Sequence, residues 1–403
     1  MSTRLLGVQI ANGYSPEAQV FSRLLAHASP KALEPHVLYH QWIGGPQSAK
    51  IFQQASIAPV QTLDFGWRSV SAHRSFPAKA GARLRFLAAL PRALRLARQI
   101  NPDVIYSCQQ LWDCQAATYL ARKLNKPQVI HLHYIIGPWL HRPILERLRT
   151  CAHVVTVSDF IREEALRHGV SPQNVTTIRN TITAAPISET GTRDAVCQEM
   201  GFSSSTVLLG IVARLDPDKG QSDTLRAFAK VVGEHPQARL LIVGNETPWH
   251  PGYSDVLKGE AHDLGLEESV RFLGYRSDVP RLLAALDVFV HPTRKDPCPL
   301  AVLEAAAVSL PVVAYAEGGA KELVQDGVTG LLTAPEDVDA LARSLTRLIG
   351  DLDYARALGR AGHSRIMSEF QPAPAGNAFA VLMDGFRTLS TTGNASGTAS
   401  AGL

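Results

Sequence analysis

Two cationic side chains in one predicted loop are the strongest chemical signal in the sequence. Residues 212–220 read VARLDPDKG and lie between an apolar run and a helical pattern, so Arg214 and Lys219 project from a strand-to-helix loop. A planar guanidinium and a flexible ammonium suit two neighbouring phosphates, the first as a fork and the second as a point charge. The alternative is a surface turn with two hydrated cations. Asp216 and Asp218 have the spacing of a metal site, but the proline between them favours a turn.

An acid pair around a predicted helix start is the second signal. The run DPCPLAVLE places Asp296 before the helix and Glu304 about one turn inside it. The first N–H groups of the helix lack helical acceptors and can bind a phosphate, and they belong to Leu300, Ala301 and Val302. Glu304 can accept two vicinal hydroxyls of a ribose, and Asp296 can reach the hydroxyls of a sugar. Alternatively, Asp296 is a turn residue and Glu304 interacts with the helix dipole.

A pair of glycines follows a third predicted strand. Residues 316–322 read AEGGAKE, and Gly318 and Gly319 let the backbone approach a ligand closely. All three loops come after strands, so they are expected at the same edge of a sheet.

The elements that position these loops alternate between short apolar runs and longer helical patterns. Runs rich in Val and Ile predict buried parallel strands at residues 5–10, 36–39, 104–106, 128–132, 154–157, 207–212, 239–243, 270–272, 288–291 and 311–315. Helices are predicted at 18–28, 84–100, 115–124, 159–168, 222–234, 255–264, 279–286, 300–307, 337–349, 354–369 and 376–389. The alternation predicts an α/β fold of two doubly wound, Rossmann-like domains, with ligands in a cleft where the carboxyl ends of the strands face each other.

Length and composition set the domain organisation. A chain of 403 residues fits two domains. We predict an N-terminal domain at 1–182, a linker of small and polar residues at 183–205, and a C-terminal domain at 206–365. A helix at 366–390 is expected to cross back to the N-terminal domain, and the low-complexity tail 391–403 is expected to be disordered.

Composition also excludes several classes of protein. The net charge of +4 argues against a whole-molecule nucleic-acid binder, and no apolar stretch is long enough to span a membrane. Five cysteines without a Cys-x2-Cys pair predict reduced thiols in a cytoplasmic protein. The N-terminal run MSTRLLGVQIANGYS is too short in apolar residues for a signal peptide and predicts a first strand.

The order of motifs in the second half resembles a known family. The runs VARLDPDKG, LLIVGN, VRFLGYRSDVPRLLAALDVFVHP, DPCPLAVLEAAAVSLPVVA and GGAKELVQDGVTGLL are similar to the donor-binding domain of family-4 retaining glycosyltransferases of the GT-B fold. The resemblance is specific and covers residues 207–337.

This resemblance implies a role for each matching residue. It implies that Arg214 and Lys219 bind the diphosphate of a nucleotide-sugar donor, that Glu304 binds the ribose, and that Asp296 touches the donor sugar. The base is expected to lie against the loop 274–276 through backbone contacts, and the implied donor contacts include Gly244, Asn245, Tyr275 and Arg276. The resemblance also implies that no metal and no permanently bound cofactor is needed.

The second half departs from the family pattern at three places. Asp296 is one methylene shorter than the usual Glu, and Pro299 stands where Gly is commoner. Asn245 and Glu246 replace a frequent Asp-Gly pair.

The first half resembles the acceptor domain of the family more loosely. The runs NPDVIYSCQQ, PQVIHLHYIIGP, HVVTVSDFIREEALRHGV and VTTIRNTI follow the order of its strands. His133 falls where the family has a histidine that lines the cleft near the donor sugar, and His131 is expected to face the other way. The loop ANGYSP has one glycine, Gly13, where two are usual. The resemblance implies that Gly13 contacts the donor, and the alternative is that Asn12, Gly13 and Tyr14 contact the acceptor. Ser158 and Asn180 are cleft residues or, alternatively, caps and turn residues.

A basic stretch at residues 65–102 has no Asp or Glu. Three interpretations stay open: contact with an anionic membrane surface, attraction of a phosphorylated acceptor, or a hydrated helix face packed on the sheet. It lacks the interleaved aromatic residues of a nucleic-acid stacking platform.

The sequence therefore predicts a cytoplasmic glycosyltransferase, peripheral at the inner membrane face if the basic stretch contacts lipid. It would move a sugar from a UDP- or GDP-sugar to a hydroxyl of a lipid-linked sugar, a polysaccharide or a small natural product, with retained configuration. The alternatives are a nucleotide-sugar epimerase or hydrolase on the same fold, and a non-catalytic nucleotide-sugar binding protein.

Overall fold

The structure, a computed structural model, describes residues 2–10, 16–40, 52, 57, 60–66, 76–183 and 192–392. The chain divides into two compact units. The first unit comprises Met1–Asn180 and Pro372–Leu403, and the second comprises Thr181–Gln371. Each unit contains one sheet in which all strand pairs are parallel.

The first unit contains a seven-stranded sheet. In chain order the strands are β1 Thr3–Gln9, β2 Leu33–His40, β3 Val60–Leu63, β4 Val104–Cys108, β5 Gln128–Leu132, β6 His153–Thr156 and β7 Val175–Thr177. The helices between them are α1 Pro16–His27, α2 Phe76–Ile100, α3 Leu111–Leu124, α4 Arg142–Thr150 and α5 Asp159–Arg167. The strand order across the sheet is β3-β2-β1-β4-β5-β6-β7. Because β1 pairs with β2 on one side and β4 on the other, a topological switch point lies between β1 and β4.

The second unit repeats this arrangement with six strands. These are β8 Val207–Val212, β9 Ala238–Val243, β10 Val270–Gly274, β11 Val288–His291, β12 Val312–Tyr315 and β13 Gly330–Thr333. Its helices are α6 Thr192–Glu199, α7 Gln221–Glu234, α8 Tyr253–Asp263, α9 Val279–Ala285, α10 Leu300–Ala307, α11 Ala320–Leu323, α12 Val338–Gly350 and α13 Leu352–Glu369. The order β10-β9-β8-β11-β12-β13 puts its switch point between β8 and β11.

The last helix of the chain, α14 Pro372–Thr392, belongs to the first unit. It packs against α1, and its Phe379 and Met383 are buried in the same apolar cluster as Leu5 of β1. Thr3 Oγ1 donates a 2.6 Å hydrogen bond to Asp384 Oδ1. Residues 393–403 of the predicted disordered tail lie outside the described residues.

Both sheets are covered by apolar clusters on two faces. Along β1, Leu5 lies in one cluster, whereas Leu6 and Val8 lie in another. Along β8, Leu209 and Leu208 are divided in the same way. Because neighbouring strand residues point to opposite faces, each strand contributes to two cores. The α/β fold of two doubly wound units that the sequence predicts is confirmed.

Several short elements were not predicted from the sequence. They are β3, β13, α4, α6 and α11, whereas β7 was expected only from the resemblance of VTTIRNTI to a strand region of the family. Helix α6 lies inside the range 183–205 that we assigned to a linker, and it forms there because Val196 and Cys197 are buried against the second unit. The predicted strands 128–132, 207–212 and 288–291 have the observed bounds.

Candidate functional site

An ion pair lies at the switch point of the second sheet. The loops that follow β8 and β11 carry Lys219 and Asp296, and Lys219 Nζ donates a 2.7 Å hydrogen bond to Asp296 Oδ2. The side chains are 18% and 15% exposed. Two residues that the sequence predicts as donor contacts, distant in the chain, are therefore brought together where ligands of open α/β sheets bind.

The surroundings of Asp296 keep it ionised. Burial alone would raise the pKa of this carboxyl, but the Lys219 ammonium and His291 outweigh burial and lower it. The backbone N–H of Cys298 also donates to Asp296 Oδ1, at 3.3 Å. His291 Nε2 lies 3.9 Å from Asp296 Oδ2, and burial lowers the pKa of His291 to about 4. At neutral pH the loop thus holds a carboxylate between an ammonium and a neutral imidazole.

Arg214 is exposed at the start of the same loop. Its guanidinium carbon lies 5.7 Å from the ring centre of Trp249, and no carboxylate pairs with it in the described part of the chain. The carbonyl of Arg214 accepts a 2.7 Å hydrogen bond from Gln221 Nε2, which fixes the backbone. Its guanidinium is therefore available to an anion.

The two aspartates of this loop form a turn. Asp216 Oδ1 accepts from the backbone N–H of Asp218 at 3.1 Å, at the start of the 3-10 helix Pro217–Lys219. Asp216 Oδ2 lies 3.8 Å from His250 Nε2. Within the ranges that the structure describes, no three His, Cys, Asp or Glu side chains are grouped so that they could hold a metal ion.

The start of α10 offers fewer free N–H groups than the sequence predicts. Val302 N–H donates to the carbonyl of Pro299 at 3.1 Å, because the first turn tightens, and so it is not free for a phosphate. No acceptor among the described residues takes the N–H groups of Leu300 and Ala301. Glu304 is partly buried one turn further along the helix.

The glycine pair packs against the Asp296 loop. Gly318 has a φ of +60°, and an added Cβ would lie 2.4 Å from the carbonyl oxygen of Asp296. Gly319 N–H donates to that same oxygen at 2.8 Å. The close approach expected for a ligand is therefore made to protein backbone, and the pair supports the acidic loop.

The loops after β9 and β10 are tied to each other. Asn245 Oδ1 accepts a 2.8 Å hydrogen bond from the backbone N–H of Tyr275, so this donor is already used. The Tyr275 side chain is 70% exposed. Gly244 lies against the carbonyl of Ala213, which an added Cβ would approach to 1.9 Å.

Arg276, the fourth residue predicted in these loops, is held by acids. It donates two hydrogen bonds of 2.8 Å to Asp278 and one of 2.8 Å to Glu199. The hydrogen bonds from Arg276 lower the pKa of Asp278. Its guanidinium is thus hydrogen-bonded to carboxylates of the protein itself.

In the first unit, buried neutral groups collect at the ends of β4 and β5. The backbone N–H of His133 donates to Gln109 Oε1 at 3.0 Å. Burial lowers the pKa of His133 to about 4, although Glu17 acts in the opposite direction. Within the described ranges His133 Nε2 and Gln109 Nε2 have no hydrogen-bond partner.

The expectation that His131 faces away from His133 is wrong. The two rings lie 4.0 Å apart between centroids, because residues two apart on a strand share a face. His131 Nδ1 forms a 2.8 Å hydrogen bond with the Tyr106 hydroxyl, and burial lowers the pKa of His131.

Three further residues of the first unit were predicted to line the cleft or contact a substrate. Ser158 caps α5, since its Oγ accepts from the backbone N–H of Ile161 at 3.2 Å. Asn180 is buried at the end of the unit. Gly13, with the rest of its loop, lies outside the described residues.

The sequence did not single out an Arg294 network beside the site. Arg294 donates to Asp223 at 2.7 Å, and the Tyr315 hydroxyl donates to the same carboxylate at 2.9 Å. The backbone N–H of Arg294 donates to the carbonyl of Asp218 at 2.8 Å, so this residue joins the β8 and β11 loops. Its position in HPTRKDP, directly after β11, was the available signal.

Two family profiles match the chain. The profile described as Glycosyltransferase Family 4 matches residues 19–185, and that described as Glycosyl transferases group 1 matches residues 194–365. Together they include nearly all elements of both units.

Curated relatives match this chain over part of its length. A GDP-mannose-dependent monoacylated alpha-(1-6)-phosphatidylinositol monomannoside mannosyltransferase of Corynebacterium glutamicum is 33% identical over 187 residues, which are 44% of this chain and 47% of the relative. The match thus spans about half the length of that relative. A glycogen synthase of Mycobacterium tuberculosis is 28% identical over 72% of this chain and 69% of its own length.

Solved structures match over nearly the whole chain. Anabaena HepE in complex with UDP has a TM-score of 0.77 at 22% identity, covering 96% of this chain and 100% of its own. Sucrose-phosphate synthase of Thermosynechococcus elongatus has a TM-score of 0.76 at 18% identity, covering 97% and 100%. At these identities the likeness establishes the fold, two Rossmann-like units of the GT-B type.

Proposed function

The chain belongs to the family-4 glycosyltransferases of the GT-B fold, and from this premise we propose that it transfers a sugar from a UDP- or GDP-sugar to an acceptor hydroxyl. The transfer retains the anomeric configuration and proceeds without a bound metal. The second unit binds the donor and the first unit binds the acceptor.

The observation that carries the proposal is the Lys219–Asp296 pair at the β8–β11 switch point. A diphosphate carries two negative charges. Lys219 can bind one phosphate as a point charge, and the available guanidinium of Arg214 can bind the other through two parallel N–H groups. The free N–H groups of Leu300 and Ala301 add a helix terminus that favours an anion. Glu304 takes the ribose hydroxyls, and Asp296, released from Lys219, takes hydroxyls of the sugar.

The same residues account for catalysis. As the bond between the anomeric carbon and the phosphate oxygen breaks, negative charge grows on the leaving diphosphate, and Lys219 and Arg214 stabilise it. The acceptor oxygen attacks from the face that the phosphate leaves, and its proton passes to the phosphate oxygen. Because the attack comes from the face that the diphosphate leaves, configuration is retained without a covalent nucleophile. These two cations supply the charge that a metal ion supplies elsewhere.

In the first unit we propose His133 as the residue that takes part in transfer. Its pKa of about 4 keeps the imidazole neutral at pH 7, so it serves as a hydrogen-bonding group toward a sugar hydroxyl. Glu17 is the charged neighbour that opposes this depression.

We further propose a cytoplasmic protein whose α2 lies against the inner face of a membrane. Helix α2 exposes Leu84 at 67% and Leu87 at 48% among exposed arginines. Such a surface gains apolar burial and about 1 kcal/mol per basic residue near anionic lipid. Among the described helices none is both long and apolar enough to cross a bilayer.

Donor and product analysis tests the proposed transfer. UDP-, GDP- and ADP-sugars are screened by thermal shift, since a bound donor stabilises in proportion to its occupancy. The stabilising donor is then incubated with EDTA and with a panel that contains phosphatidylinositol monomannoside, glycogen and alkyl glycosides. We expect acceptor-dependent release of nucleoside diphosphate and a product whose anomeric configuration, read by NMR, equals that of the donor.

Two other outcomes would replace the proposal. Rapid and complete conversion of the donor without acceptor would identify an epimerase or hydrolase. Donor stabilisation without turnover on any acceptor would identify a nucleotide-sugar binding protein.

A further inference from the structure

A cavity of about 590 Å³ lies on the first unit where α2, α3 and α4 meet. All the residues that line it belong to these three helices, and none belongs to the loops that follow the strands. The cavity is therefore separate from the residues proposed for sugar transfer.

One part of the cavity wall is apolar. Phe86, Leu90 and Ile144 line it, and each is at most 8% exposed. Leu87 also lines it but is 48% exposed. An alkyl chain placed on this wall would exclude water chiefly from the exposed part of Leu87.

The rest of the wall is cationic and lacks carboxylate partners. Arg83, Arg122, Lys123 and Arg147 line the cavity, against a single carboxylate, Glu146. Throughout the described ranges none of these four cations has an ion-pair partner. Glu146 itself pairs with an arginine outside the lining, at 3.3 Å.

Two of the cations are oriented by neutral amides. Arg147 Nε donates to Gln128 Oε1 at 2.6 Å, and Arg83 donates to Gln115 Oε1 at 2.7 Å. An amide fixes a guanidinium without neutralising it, which leaves its remaining N–H groups to an anion. Partial burial of Arg147 lowers its pKa, which agrees with a cation that lacks a counter-ion.

We propose that this cavity binds one anionic lipid, with its phosphate on the cationic side chains and an alkyl chain on the apolar wall. Arg147 holds the phosphate, because it is the partly buried cation, and Arg122 and Lys123 add charge at the more exposed side. The site does not depend on which donor or acceptor the protein uses.

Binding of a soluble lipid separates this site from general attraction to a membrane. Dihexanoyl phosphatidic acid is titrated below its micellar concentration into the full chain and followed by calorimetry. We expect saturable binding of one molecule per chain, at least tenfold tighter than dihexanoyl phosphatidylcholine and at least tenfold tighter than inorganic phosphate. Equal affinity for phosphatidylcholine, equal affinity for phosphate, or absence of saturation would overturn the proposal.

Paired variants locate the ligand. Leu87→Glu places a carboxylate in the wall and should weaken phosphatidic acid binding at least tenfold, whereas Leu84→Glu, one turn away and outside the lining, should leave it within twofold. Both variants should reduce sedimentation with phosphatidic acid vesicles if α2 faces the bilayer. Equal losses of soluble-lipid binding in the two variants would contradict a discrete cavity site.

A charge variant tests the role of Arg147. Arg147→Gln should weaken binding at least tenfold, with Arg98→Gln, an exposed position of α2 outside the lining, as its control. If Arg147→Gln does not fold, the exposed pair Arg122→Gln and Lys123→Gln is expected to give at least a threefold loss. Unchanged affinity in the folded variant excludes the site.

Discussion

At the switch point of the second sheet a cation and an anion face each other, whereas the corresponding edge of the first sheet carries buried amide and imidazole groups beside two buried carboxyl side chains, Asp113 and Glu17. Lys219 and Asp296 are ionised and hydrogen-bonded. In the first unit Gln9 ends β1 with both amide atoms buried and without partners among the described residues, and the imidazole of His133 has a pKa of about 4. The two sheets share a topology but differ in the charge that they present.

This difference indicates what each edge can bind. The cation of an ion pair can exchange its protein carboxylate for a ligand phosphate and remain neutralised. The second edge therefore suits a diphosphate. Neutral amide and imidazole groups hydrogen-bond hydroxyls without repelling them, so the first edge suits a carbohydrate. Burial of an unpartnered polar group is unfavourable, so a sugar hydroxyl that forms hydrogen bonds with these groups would remove that cost.

The largest effect is expected from removing the cation of the second edge. Lys219→Ala leaves the leaving phosphate without its ammonium and should lower turnover about a hundred- to a thousandfold. Steady-state release of nucleoside diphosphate measures the loss. Lys230→Ala is the matched control, because Lys230 lies in the same unit but pairs with Asp339 on the exposed surface. Near-normal turnover in Lys219→Ala would refute the donor site.

A change at the first edge should separate binding from turnover. His133→Ala removes a hydrogen-bonding group worth about 1–3 kcal/mol, so kcat should fall about ten- to a hundredfold while thermal stabilisation by donor persists. His153→Ala, at a buried histidine of the same sheet that bonds Thr176, controls for loss of packing. The comparison between the two edges fails if His133→Ala weakens donor stabilisation as much as Lys219→Ala does.

Most of the fold follows from patterns that are local in the sequence. Strands such as Gln128–Leu132 and Val288–His291 are short apolar runs with polar boundaries, so their limits are visible. Strand β13 has four residues, and α6 has eight in a polar stretch. Such elements form through burial against other parts of the unit, which local patterns do not show.

The candidate site was predictable in its residue types but not in its internal contacts. Arg214, Lys219 and Asp296 stand out because charge in a loop after a strand is informative. The direct bond between Lys219 and Asp296, the Trp249 ring near Arg214 and the Arg294 network depend on how separate loops pack, so the sequence gives no distance for them. The predicted orientation of His131 is wrong because residues 131 and 133 are two apart on the strand and therefore share a face.

The glycine next to Asp296 offers a stability test of that loop packing. Gly318→Ala meets both a left-handed φ of +60° and a backbone oxygen 2.4 Å from the new Cβ. Gly327→Ala has a similar φ of +71° and open space, so it controls for backbone strain alone. We expect Gly318→Ala to lower the free energy of unfolding by about 1–2 kcal/mol more than Gly327→Ala, measured by urea denaturation. Equal losses would mean that the Asp296 loop moves away freely.

The smallest effect, and the finest test of the charged edge, is its pH dependence. Burial holds the pKa of His291 at about 4 in the folded chain, against about 6.5 when unfolded. Between these values the unfolded chain binds one more proton, so His291 makes stability fall as the pH decreases from 6.5 to 4, by about 1.4 kcal/mol per pH unit. His291→Leu should remove this slope in urea denaturation of the second unit and leave stability at pH 7 nearly unchanged. His262 is an exposed histidine whose pKa is raised by Glu267, so its removal should change the slope in the opposite direction. An unaltered slope in His291→Leu would show that the imidazole beside Asp296 takes up a proton in the folded chain as readily as in the unfolded chain, and below about pH 6.5 the second edge would then carry one more positive charge than the comparison assigns to it.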